Sequence, residues 1–197
     1  FHSLWCLGAQ RKGMVITMAK KEEIILGSGD LYYMEFDGTN IPEDTVLEVE
    51  EKRAGHIRGG ASIEYKPSFY EASDDFKRVT KSVLTEEVAT MKLGLITWAE
   101  NVLEALISTA RKSTTAGKVT YKIGGIKNAS GKKYLWRFVH TKDDGKKIRI
   151  TVTGKNQGGV SITFAKDKET TVDPEITAEP LDAEGTLIIF DEEVQAE

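Results

Sequence analysis

The chain has 197 residues, 40% hydrophobic and 29% charged, with a formal net charge of −4. That composition suits one domain with a sizeable core and excludes a disordered chain. The acidic balance argues against tight gripping of a phosphate backbone. The single cysteine, Cys6, excludes an intrachain disulfide framework. No apolar run approaches the roughly 18 residues of a bilayer-spanning helix, so no membrane anchor is expected.

The chain opens on Phe1, with Met14 and Met18 downstream. Phe1 to Thr17 lacks the cationic and apolar regions of a signal peptide. Residues 1–17 are therefore read as a leader or disordered extension outside the fold, with the start at Met14 or Met18. Residues 18–197 are read as a single β domain. Leu31 to Phe36 forms a short aromatic strand, and Asp37-Gly38-Thr39-Asn40 a turn. Ile41 to Arg58 is long and charged and reads as an extended loop or loose hairpin, a length that in a compact domain marks function or disorder. It is expected to contact neighbouring subunits, and deleting Glu43 to Ala54 is expected to spare the fold.

Ala61, Ile63, Tyr65 and Phe69 alternate with polar residues around Pro67, which places this strand at an edge or a bulge. A long strand follows from Val83 to Ile96. Thr97 and Glu100 have capping-box spacing, and Trp98, Val102, Leu103, Leu106 and Ala110 share one helical face; a helix is expected from there to Arg111-Lys112. Lys118 to Gly124 is a strand. Tyr134, Trp136 and Phe138 alternate with Leu135, Arg137 and Val139 in a strand buried on both faces or in an interface. Ile148, Ile150 and Val152, then Val160, Ile162 and Phe164, predict a hairpin across the turn at Gly154 to Gly159. An acidic extended segment, Thr170 to Ile176, leads to a last strand, Leu187 to Phe190. The expected fold is mainly β: a sandwich or barrel of about eight strands with one flanking helix.

Reactive constellations are absent from this pattern. Gly27-Ser28-Gly29 lacks the third glycine of a dinucleotide fingerprint and precedes a strand. Gly125 to Gly131-Lys132-Lys133 has five intervening residues where a P-loop has four, and Lys133 stands where that motif has Ser or Thr. His2, His56 and His140 are scattered. The pairs Glu86-Glu87, Asp74-Asp75 and the run Asp191-Glu192-Glu193 have no His or Lys partner at a telling spacing. Asn128-Ala129-Ser130 is a glycosylation sequon with meaning only in a secretory pathway. Lys127, Lys132, Lys133, Lys142, Lys146 and Lys147 form a mild basic cluster interrupted by Asp143 and Asp144. No catalytic, cofactor-binding or metal-binding residue is assigned, no cofactor is expected, and the chain reads as a non-enzyme.

The order of features resembles that of siphophage major tail proteins, from about Glu22 to Glu193. It comprises a short first strand, a charged loop, the lead-in Gly59-Gly60-Ala61-Ser62, a long strand ending in Thr97-Trp98, one helix, a hairpin, the segment Asp173-Pro174-Glu175-Ile176-Thr177-Ala178-Glu179-Pro180-Leu181-Asp182, and a final strand. The resemblance implies a β subunit that closes into hexameric rings, stacked as a tail tube through which the genome passes on ejection without tight DNA binding. The type VI secretion tube protein is a distant relative of that family. Implied partners are further copies of the chain and other tail proteins, such as the tape measure and tail terminator. The implied location is the virion, after assembly in the bacterial cytoplasm. The competing reading is a β-sandwich binding module of a phage or surface adhesin. Tyr32, Tyr33, Tyr65, Tyr70, Tyr134 and Trp136 would then form a platform for carbohydrate or protein.

Overall fold

The structure is a computed structural model and describes residues 27–195. The leader expected at Phe1–Thr17, with Cys6 and His2, lies outside the described residues, as does Met18. Nine strands are described: β1 (Asp30–Glu35), β2 (Arg53–Ser73), β3 (Thr80–Leu95), β4 (Arg111–Thr115), β5 (Lys118–Lys122), β6 (Tyr134–Thr141), β7 (Lys147–Asn156), β8 (Glu175–Glu179) and β9 (Ile189–Glu192). Two short helices, α1 (Asp44–Leu47) and α2 (Val102–Leu106), interrupt them. None is long and apolar enough to cross a membrane.

The fold is mainly β, as the alternation predicts. Seven strands run in the order β6-β1-β2-β3-β8-β7-β9, all antiparallel, and β6 also pairs with β7. That extra pairing closes six strands into a barrel. β7 gives one edge to β6; its other edge is shared by β9 at Ile148–Thr151 and β8 at Thr153–Asn156. Closure removes open edges along the barrel itself.

Alternation fills the barrel. Leu31, Trp136, Phe138, Val152, Met91, Leu95 and Ile176 form one buried cluster. Tyr33 stacks on Trp136 at 5.5 Å between ring centroids. Burial and nearby Tyr134 push the Tyr33 phenol up to about 12. Val102, Ala105 and Leu106 of α2 join this cluster, and the Asn156 side-chain amide donates to the Leu106 carbonyl at 3.2 Å. A second cluster of Phe36, Leu47, Leu135 and Leu181 covers the outer face of β1 and β6. The strand at Tyr134–Thr141 is thus buried on both faces within one subunit, because α1 covers what a simple barrel would expose.

Three expectations are corrected. The helix at 97–111 shrinks to Val102–Leu106 because its cap residues are engaged elsewhere. The Thr97 hydroxyl accepts from the His56 backbone N–H at 2.8 Å, and Glu100 pairs with Lys112 at 2.5 Å. Ile107 is extended, and Arg111 begins β4 instead of ending a helix. The hairpin expected across Gly154 to Gly159 does not form, since both edges of β7 are already taken. Val160 packs on the core, while Ile162 and Phe164 are exposed in irregular chain. The long loop is shorter and better anchored than expected: Leu47 and Ala54 are fully buried, and β2 already starts at Arg53.

Candidate functional site

The feature that the barrel does not explain is the far part of the β2–β3 hairpin. β1 pairs with β2 only as far as His56, and β8 pairs with β3 only at Thr90–Lys92. Beyond Glu64 and Thr90 the two strands pair with each other alone, to Ser73 and Thr80. The projecting ribbon reaches roughly 30 Å, at about 3.3 Å per residue. Among the described residues, no strand lies beside either outer edge and both faces are open.

Its composition does not suit water. Phe69, Tyr70, Phe76 and Val79 are 60%, 63%, 77% and 71% exposed, and Tyr65, Val83, Leu84 and Val88 are also exposed. The register sorts these residues. Ile63, Tyr65, Pro67 and Phe69 share a face with Met91, Ala89 and Leu84, continuing the barrel interior outward. Glu64, Lys66, Ser68 and Tyr70 share the other with Thr90, Val88, Glu86 and Val83. The expected irregularity near Pro67 is there: Ser68 pairs with Glu86 and Phe69 with Leu84, leaving Thr85 as the extra residue of a bulge. The Thr85 hydroxyl donates to the Ser68 carbonyl at 3.1 Å.

The tip is built, not loose. The Asp74 carboxylate accepts from the backbone N–H of Val79 at 3.0 Å and from the Arg78 Nε at 3.0 Å. These hydrogen bonds, the Val79 one foremost, hold the Asp74 carboxyl below its usual range. The Arg78 guanidinium lies 5.0 Å from the Phe76 ring centroid.

At the root of the ribbon, β2 carries a wider irregularity. Ile57 pairs with Leu95 and Ala61 with Leu93, so two extra residues sit on β2. Gly59 and Gly60 take φ of +82° and +81°, conformations that a side chain would strain.

On the opposite side of the barrel, two buried arginines are paired with acids. Arg137 and Arg149, both buried, meet Asp44 and Glu48 of the α1 segment. Arg149 also reaches Glu193 at 2.6 Å. Burial raises the Glu48 carboxyl, but hydrogen bonds and charge from Arg149 and Lys147 outweigh it and hold that group below its ordinary value.

The residues singled out in the sequence are not gathered into one site. His140 is buried, with Nδ1 2.6 Å from the Ser28 carbonyl, and His56 is exposed in β2. Glu87 accepts from the Tyr65 hydroxyl at 2.8 Å, and Asp74 closes the ribbon turn. Gly125 to Gly131 leads into β6 and not into a helix. Five of the six clustered lysines are in ion pairs: Lys132 with Glu35, Lys133 with Glu179, Lys142 with Glu192, Lys146 with Asp144 and Lys147 with Glu48. Of the aromatic platform, Trp136 is fully buried and Tyr32, Tyr33 and Tyr134 are half-buried. Tyr65 and Tyr70 are exposed but on opposite faces of the ribbon. Sequence reading found both ribbon strands but not their isolation, because pairing partners are not written in alternation. No family model and no curated protein sequence matches the chain.

Proposed function

We propose that this chain is a structural, non-catalytic subunit that self-assembles into rings stacked as a tube, the tail tube of a long-tailed phage. The observation that carries the reading is the ribbon with two open edges and exposed aromatic residues. A two-stranded ribbon is marginal alone in water and gains stability when a third strand or a packed surface covers it. Uncovered edges of this length are a liability in a monomer even where Pro67 and the Thr85 bulge blunt them. In an assembly they are joints: the free edge of β2 on one copy meeting the free edge of β3 on the next is a heterologous contact, which closes rings or propagates filaments. The closed barrel carries the ribbon on two of its own strands. Ring size is left to the tail-tube resemblance, which implies six copies.

The test is the purified chain at increasing concentration, by sedimentation velocity and negative-stain imaging. Rings or tubes support the reading. A monomer at all concentrations, with no tubes beside its tail partners, sinks it. Glycan binding by that monomer would favour the adhesin reading instead.

A further inference from the structure

The charges of this chain are segregated in sequence. From Gly27 to Glu51 it holds eight Asp and Glu and no Lys or Arg; from Ala105 to Lys142 it holds nine Lys and Arg and no Asp or Glu. Part of each block is used internally. Asp44 and Glu48 meet Arg137 and Arg149, Glu35 meets Lys132, and Lys112 meets Glu100. Glu50, Lys133 and Lys142 are in ion pairs as well, whereas Glu43, Glu51, Arg111, Lys118, Lys122 and Lys127 are exposed.

The unused bases lie on the β4–β5 hairpin and just after it. Lys112 and Tyr121 sit opposite each other on one face and turn toward Glu100. The other face carries Arg111 directly opposite Lys122, and Lys118 opposite Thr115. Arg111 donates to the Gly124 carbonyl at 3.3 Å, and no carboxylate pairs with Arg111, Lys118, Lys122 or Lys127 among the described residues. Like charges directly opposite on a two-stranded sheet are destabilising unless an anion sits over them. Ile123, directly after Lys122, joins Ile107, Val160 and Ile162 in lining an open cleft of about 480 Å³, and Ile126, three residues further on, is 93% exposed.

The acidic block offers the complement. Glu43 and Glu51 are exposed on either side of α1, with no cation paired to them among the described residues. Ile41 and Val46, interleaved with these acids, are exposed as well. One surface is basic around an apolar cleft; the other is acidic around apolar side chains. We propose that the acidic segment Asp37–Glu51 of one copy docks on the basic β4–β5 hairpin and adjoining cleft of another. This contact presupposes the self-assembly proposed above and adds to it a second joint, separate from the ribbon. A nucleic acid is the less favoured occupant. The free bases are few, and the chain carries its own matching acids and apolar groups.

The experiment uses the full chain and its charge reversals. Assembly by the unaltered chain is expected to weaken as salt rises from about 0.02 M to about 0.5 M, where charge attraction is screened. K118E/K122E is expected to raise the concentration needed for assembly by at least about tenfold, since acid then faces acid. The fourfold variant E43K/E51K/K118E/K122E is expected to restore assembly, with no variant melting below the unaltered chain, since Glu at 122 would face Arg111 across the hairpin. K118E/K122E assembling like the unaltered chain overturns this contact and leaves the tube reading standing. A fourfold variant as defective as the double one overturns the choice of segment. Loss of duplex DNA binding with unchanged assembly assigns the face to nucleic acid and overturns the proposal. An unaltered chain that stays monomeric across the salt range defeats both the contact and the tube.

Discussion

Arg137 Nη1 lies 2.6 Å from Asp44 Oδ1, across 93 positions of sequence. Arg137 is buried on β6 and Asp44 begins α1. That bond, with Glu48 beside it, fastens the segment after β1 to the outside of its own barrel. A buried arginine stripped of its carboxylates would be left as an uncompensated charge, which is strongly destabilising.

The same network sets a pH dependence. Glu48 and Glu193 both have carboxyl groups held below their ordinary value of 4.5, and Arg149 hydrogen-bonds to both. A carboxylate with a lowered folded-state pKa adds stability that is complete above the unfolded value and is lost as pH falls through the folded one. The melting temperature is therefore expected to be flat near neutrality and to fall below the ordinary carboxylate value. Glu48→Gln is expected to cost about 1–3 kcal/mol at pH 7 and to flatten the acid limb. Equal acid sensitivity in Glu48→Gln and the unaltered chain would show that other groups control it.

Removing the α1 segment should damage the fold. Leu47 is fully buried against Phe36, Leu135 and Leu181. Leu47→Ala is expected to cost about 2–5 kcal/mol in chemical denaturation. Deleting Glu43 to Ala54, which the sequence marks as dispensable for folding, would remove Leu47, two of the three acids of the arginine network (Asp44 and Glu48) and the start of β2. Loss of cooperative unfolding is the expected result, and an intact melt would show the segment to be a passive cover.

The ribbon should behave in the opposite way. Phe69→Ser with Tyr70→Ser alters exposed side chains and is expected to move stability by no more than about 0.5 kcal/mol per site. Assembly, read by sedimentation velocity, is expected to be lost. Assembly retained with both residues changed would take these aromatics out of the interface.

Gly154 marks a tight approach between β7 and β8. A Cβ there would lie 2.0 Å from the Thr177 carbonyl oxygen, which is backbone and fixed by pairing. Gly154→Ala is expected to destabilise by about 1–3 kcal/mol and to loosen β8. Amide exchange at Ile176 and Ala178 checks it; unchanged protection would mean that β8 shifts without cost.

Duplex DNA is expected to bind weakly at physiological salt. Most of the clustered lysines are neutralised by named carboxylates, so few are free to displace counterions. Fluorescence anisotropy with labelled duplex, repeated at two salt concentrations, measures this. Tight binding with a steep salt dependence would contradict a conduit that lets DNA slide.

Period-two alternation set the β class and most strand positions, because a strand with one buried face needs apolar residues two apart whatever it pairs with. It placed β1, β3, β5, β6 and β7 and the neighbourhood of the Pro67 bulge. Partners were another matter. Val160 to Phe164 alternates as well as any strand, yet β7 had no free edge to give it. Thr97 to Arg111 has helical spacing, but Thr97 and Glu100 bond to residues far along the chain, and only five residues stay helical. The ribbon was legible as two strands; that β1 and β8 stop short of it is a property of the closed barrel. Local spacing reports which side of an element is apolar, whereas edge occupancy, charge pairing across 93 positions and the exposure of Phe69 and Tyr70 depend on which distant segments pack at each surface.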